Sequence, residues 1–368
     1  MKKILLVLAL AISTLTFAQK DELKTLKKIY SKNTISEKDL IEYKAASDAL
    51  SSIAKEESDV VYAKFYKTMY PTVVLASKGD KATIQDQLQM YNPEFVIEYG
   101  NVIRETKDFE IKSGKKIYYD DLIQEEQMFK ASLQSFANNA YNASKFKEAS
   151  SLFYMLYLFD KENEGQQLDN ASVSAVQAQD YKLAEKMYDE YKNSDYLNKG
   201  IIYYAKNKAN DNEETFPNRD ARVKAIAMGT HEKPRDEKVS LKKPEVYKML
   251  ALVSSHNGNM NKAKKNIEEA LALNPNDADL KKEAFRIYFN EGYDMLKDDQ
   301  KLVDEINANR DNKAKFDELM AERKEIFKKA LPNFEKAYSI NSADENTKAL
   351  LKMSYEMLGM NDKASTIK

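Results

Sequence analysis

The chain has 368 residues, 58 Lys and Arg against 59 Asp and Glu, nine glycines, seven prolines and no cysteine. Near-neutral charge argues against electrostatic steering onto nucleic acid or an anionic membrane, and the lack of thiols excludes disulfides and thiolate zinc sites. Scarce turn-formers beside 23 Tyr and 15 Phe favour a packed helical fold over a sandwich, a barrel or a disordered chain.

Residues 1–18 read as an export signal. Lys2 and Lys3 precede an apolar run from Ile4 to Ile12, and Thr16-Phe17-Ala18 places small residues before a cut at Gln19. That run is too short to span a bilayer, and no later segment is apolar enough, so stable membrane insertion of the mature chain is not expected. Cleavage removes two lysines and no acid, leaving 56 basic against 59 acidic residues.

From 19 to 125 the pattern predicts helices at 22–30, 36–53, 60–77, 93–110 and onward from 119. Leu40, Tyr43, Ala46, Ala49, Leu50 and Ile53 recur at three- and four-residue steps, the mark of one buried face. Ser36 with Asp39 resembles a capping box. These elements read as diverged helical hairpins that cap a longer helical array.

Self-similarity begins in 126–206. Phe146-Lys147-Glu148-Ala149 returns 35 residues later as Tyr181-Lys182-Leu183-Ala184, with an aromatic four residues after each alanine, Phe153 and Tyr188. Residues 207–243 break the period: Asn210-Asp211-Asn212-Glu213-Glu214, Phe216-Pro217, Gly229 and Pro234 read as an irregular insertion, too long for a turn between paired helices. The period resumes over 244–368. Ala263 leads to Ile267, Ala270 and Pro275; Ala330 leads to Phe334 and Ala337; and Ala364 follows Ala330 by 34 residues. The charge-rich stretch near 297–322 reads as a lengthening of two helices into a solvated arm, with Pro332 kinking or restarting the second.

Repeated alanines at a spacing of 34–35, each with a large residue at +4, resemble the tetratricopeptide-repeat family, a helix-turn-helix unit of this length. The resemblance implies an all-α, right-handed solenoid of helical hairpins, here with a diverged N-terminal region and two insertions. It also implies a concave groove, lined by first helices, that holds protein or peptide partners. Carried onto this chain, the groove positions are Gln134, Asn138, Tyr141 and Asn142, then Asp169, Val173 and Gln177, then Lys248, Leu252 and His256. Members that grip a terminal carboxylate use lysine with asparagine; Asn138 stands at one such place, but Gln134 replaces the lysine. Amide and backbone contacts are expected there instead.

Chemistry finds no other foothold. His231 and His256 have no second histidine at metal-ligand spacing, and no phosphate-cradling loop or nucleophile turn occurs. Neighbouring acids such as Asp120-Asp121 diverge by about 100° on a helix and do not converge as an acid/base pair. The aromatics, including Tyr154, Tyr157, Tyr203 and Tyr204, are expected in helices as core. The sequence therefore predicts a non-enzymatic adaptor in the bacterial envelope, periplasmic or secreted, with a protein partner in an envelope complex and no cofactor, metal or nucleic acid. The alternative is a peptide- or glycan-binding module built on 207–243.

Overall fold

The structure, a computed structural model, describes residues 19–90 and 92–367. The segment read as an export signal lies outside the described residues. The chain divides into two compact units, Met1–Ser174 and Ala175–Lys368, with the boundary inside one helix.

Among its described residues the first unit is built of helices: α1 over 19–30, α2 Glu37–Ile53, α3 Glu57–Ser77, α4 Ile84–Met90, α5 Pro93–Ser113, α6 Tyr119–Asn142, α7 Phe146–Phe159, and the first turns of α8 Gly165–Gln177. The helices predicted over 19–125 are all present within a few residues of their expected ends. Ser36 and Asp39 form the capping box that starts α2, and Asn92 caps α5 ahead of Pro93. Successive helices pack in pairs, α2 with α3 and α6 with α7. Between the first helices a ring cluster closes the core: Phe65 stacks on Tyr118 at 5.0 Å, and Tyr30 meets both edge-on. Gly100 lets α5 cross the end of α7, since a Cβ there would stand 2.4 Å from the Phe159 carbonyl oxygen.

The second unit contains α9 Tyr181–Asn193, α10 Asp195–Lys199, α12 Lys243–His256, α13 Met260–Leu273, α14 Ala278–Leu296, α15 Asp299–Ala308, α16 Lys313–Ile340, α17 Glu345–Met357 and α18 Asn361–Thr366. Helices α12 and α13 form one hairpin, α14 and α16 the next, and α17 and α18 the last. The repeated alanines lie at the crossings. Ala149 in the first unit and Ala184, Ala263 and Ala330 in the second are fully buried, as are Ile267 and Phe334 at +4. Small residues bring the axes together and the large ones fill the space beside them.

Four of the hairpin turns are built alike. Ser144, Gln179, Gly258 and Gly359 each stand five residues before a repeated alanine and adopt positive φ, at 59°, 58°, 78° and 74°. After each, an amide reaches back five residues: Lys145 to the Ala140 carbonyl, Asp180 to Ala175, Asn259 to Ser254 and Met360 to Tyr355. This left-handed helix stop costs glycine nothing, whereas a residue with a Cβ carries about 1–2 kcal/mol of strain. Gln179→Gly is therefore expected to stabilise the second unit by about 0.5–1 kcal/mol after its extra chain entropy is deducted. Urea denaturation would show it; an unchanged or lower midpoint would mean that Gln179 sits there without strain.

Two expectations need correction. The segment read as irregular is folded: β1 Ile201–Asn207, β2 Glu213–Phe216, α11 Arg219–Ala227 and β3 His231–Lys238 form a three-stranded antiparallel sheet, ordered β2-β1-β3, with a helix. Tyr203 and Tyr204, expected in a helix, lie in β1. The buried Arg222 of α11 pins the sheet, donating to the Tyr204 and Arg235 carbonyls and to Asp236. The strands were hidden because β3 is almost wholly charged and carries Pro234, which normally argues against a strand. The second correction concerns the arm. Helix α14 ends at Leu296, and α15 is a separate helix folded against a lengthened α16 through Leu302, Ile306 and Leu319. Pro332 lies within α16 without interrupting it.

Candidate partner-binding clefts

In the first unit, α6 buries Leu133, Ala137 and Ala140 and leaves Asn138, Tyr141 and Asn142 on its other side. Helix α8 buries Leu168 and Ala171 and turns Asn170 and Val173 outward. The buried Ser150 of α7 donates to the Ala171 carbonyl at 2.9 Å and fixes α8 in place. Between the two faces lies a cleft of about 340 Å³ lined by Asn138, Tyr141, Asn142, Phe153, Asn170 and Val173. Four expected groove residues, Asn138, Tyr141, Asn142 and Val173, thus meet at one place. Gln134 stays on its own helix, donating to Asn138 at 3.0 Å, and Asp169 accepts from Gln166 at 3.2 Å. Gln177 is exposed at the end of α8, in the second unit. Three carboxamides beside two rings offer donors and acceptors together, the set that pairs with peptide groups.

The second unit has a smaller counterpart of about 140 Å³ between α12 and α14, lined by Leu252, Ser255, His256, Arg286, Ile287 and Asn290. Leu252 and His256 of the expected set meet here, the histidine ring lying 3.8 Å from that of Tyr181. Lys248 does not line it, and pairs with Glu245 at 2.6 Å. Arg286 and Asn290 were missed, though each stands 34 residues after Leu252 and His256; carrying the register one repeat further would have found them. The α12 and α14 faces thus repeat one register at a 34-residue step.

No protein-family model matches the chain, and no curated relative was found. Among solved structures it is similar to the tetratricopeptide-repeat domain of P58(IPK), at 12% identity over 94% of this chain and 90% of that one, with a TM-score of 0.32. It is also similar to a tetratricopeptide-repeat protein from Parabacteroides merdae ATCC 43184, at 15% identity over 92% and 98%, with a TM-score of 0.26. Superpositions this loose leave the repeat assignment to the chain's own alanines, turns and pairings.

A third cleft, about 370 Å³, lies beside Tyr70, Val74, Leu75 and Phe95 in the first unit and had no sequence signal. Its charged pair, Lys78 with Asp86 at 2.6 Å, is already satisfied. His231 is a structural pin of the sheet module: its ring nitrogens meet Glu214 and Thr230 at 2.9 and 2.8 Å, and Phe216 lies edge-on. Among the described residues no cluster of three or more His, Asp or Glu side chains is placed to hold a metal ion, and no helix is long and apolar enough to cross a membrane.

Proposed function

We propose that this chain is a non-enzymatic scaffold of the bacterial envelope, exported by its first 18 residues, which holds a protein or peptide partner on the first-helix faces of its hairpins. The observation that carries the reading is the meeting of Asn138, Tyr141, Asn142 and Val173 around one amide-lined cleft. Exposed carboxamides and aromatic edges suit an extended backbone, which brings its own donors and acceptors. The export reading rests on Lys2, Lys3, the apolar run and Thr16-Phe17-Ala18.

A photo-crosslinking residue placed at Asn142 in the mature chain is expected to trap one recurrent envelope protein. Val173→Asp in the same background should abolish that adduct while leaving the helical circular dichroism intact. The sheet module supplies a second reading, because Val223 of α11 and Met228 just past its end are 54% and 76% exposed. Adducts from a crosslinker at Met228, with none from Asn142, would move the contact to that module and refute the cleft.

A further inference from the structure

We infer that the cleft between α12 and α14 selects an acidic side chain of a protein partner, with apolar residues beside it covered by an aromatic row on α14. The inference rests on the reading that first-helix faces hold such a partner, and it names what this face recognises.

The cleft has an excess of donors. Arg286 is 57% exposed; one of its nitrogens forms an ion pair with Glu283 at 2.7 Å without a hydrogen bond, and the rest of the guanidinium is open to the cleft. Among the described residues Arg286 donates no hydrogen bond, and neither does the exposed amide of Asn290. Ser255 has only a weak contact to the Met260 sulfur at 3.6 Å. The remaining guanidinium N–H groups can only donate, and the carboxamide and hydroxyl beside them around Leu252 and Ile287 can donate too, so a compact accepting group such as a carboxylate suits the cleft. A volume of about 140 Å³ suits one side chain rather than a free small molecule. Lys281 and Lys282, exposed on the preceding turn and unpaired among the described residues, together with Arg286 set three positive charges against Asp279 and Glu283 nearby.

Beside the cleft, Phe285, Phe289 and Tyr293 follow one another at four-residue steps along α14. Their rings are nearly parallel, with centroids 5.7 and 6.1 Å apart and interplanar angles of 18° and 14°. Phe289 is anchored edge-on against Phe334, while Tyr293 is 55% exposed. A row of partly open rings next to a carboxylate receptor fits a segment in which an acid is flanked by leucine or phenylalanine.

The test uses the mature chain and fluorescein-labelled decapeptides, acetylated and amidated so that no terminal charge remains. Each carries one glutamate among Phe, Leu and Ser, moved through successive positions, beside a twin with glutamine. Anisotropy at low salt should show at least one glutamate peptide binding about tenfold more tightly than its twin. Arg286→Gln should erase that difference without weakening the glutamine peptide, and Tyr293→Ser should weaken both alike. Equal binding of the twins, discrimination that survives in Arg286→Gln, or no binding by any peptide at millimolar concentration would overturn the inference. None of these outcomes touches the adduct from Asn142, which reads the other cleft independently.

Discussion

Glu110→Ala is expected to cost the first unit about 3–5 kcal/mol, the largest loss foreseen for any one substitution in this chain. Helix α6 has no side-chain N-cap of its own; Tyr118 at that position supplies none. The cap comes from α5. One oxygen of the fully buried Glu110 accepts from the Ile117 and Tyr119 amides at 2.8 Å each, and the Tyr118 amide and the Tyr62 hydroxyl reach the other at 3.0 Å. Three converging amides and the positive end of α6 replace the water that a buried carboxylate would otherwise lose. Burial, with the Glu110 carboxylate beside it, pushes the Tyr62 phenol well above its usual range. Alanine would leave three amides and a phenol without their acceptor. Glutamine should cost more than half as much, because its NH2 group would face further donors. Urea denaturation followed at 222 nm measures both variants; a loss under about 1 kcal/mol for alanine would show that water enters and takes over the cap.

The contrast between what could and could not be read in advance has a physical basis. Helices on one buried stripe announce themselves by period, so α2, α3, α5 and α6 were legible, and so were Ala149, Ala184, Ala263 and Ala330 at their crossings. The cap on α6 was not legible, because Glu110 acts on amides seven to nine residues away through a turn whose path periodicity does not encode. The sheet module was lost for another reason. Ile201-Ile202-Tyr203-Tyr204 has the composition of a strand, but its partners Glu213–Phe216 and His231–Lys238 do not alternate apolar and polar residues. They are held by cross-strand ion pairs such as Arg235 with Glu213 at 2.7 Å, and by Arg222 from behind. The groove was legible on α6 and α12 because repeats share a register. The same register continues onto α14, where Arg286 and Asn290 keep the 34-residue step, and it breaks only beyond α14, where the inserted α15 delays the second helix.

The second unit should carry an acid-sensitive clasp. Glu185 of α9 accepts from Ser254 at 3.1 Å, Asn257 at 2.7 Å, Asn259 at 3.0 Å and the Lys262 ammonium at 2.9 Å, all from the α12–α13 hairpin. Burial alone would raise its pKa, but the lysine, the two asparagines and the serine together overrule burial and hold the carboxyl at about 2, against an ordinary 4.5. A carboxyl depressed in the folded state contributes its full stability above the unfolded value and loses it as the pH falls through the folded one. The contribution is about 3 kcal/mol, complete above pH ~5 and mostly gone by pH ~2. Glu185→Gln should therefore be less stable than the parent chain at pH 6, with the two converging towards pH 2. Measuring the parent and the variant side by side separates this clasp from other depressed carboxyls, such as Asp160 in the first unit. Parallel stability curves between pH 5 and 2 would mean that Glu185 stays partly protonated in the fold, with its neighbours acting only as packing. Convergence would place the acid lability of the α9–α12 contact on one carboxylate and the donors gathered around it.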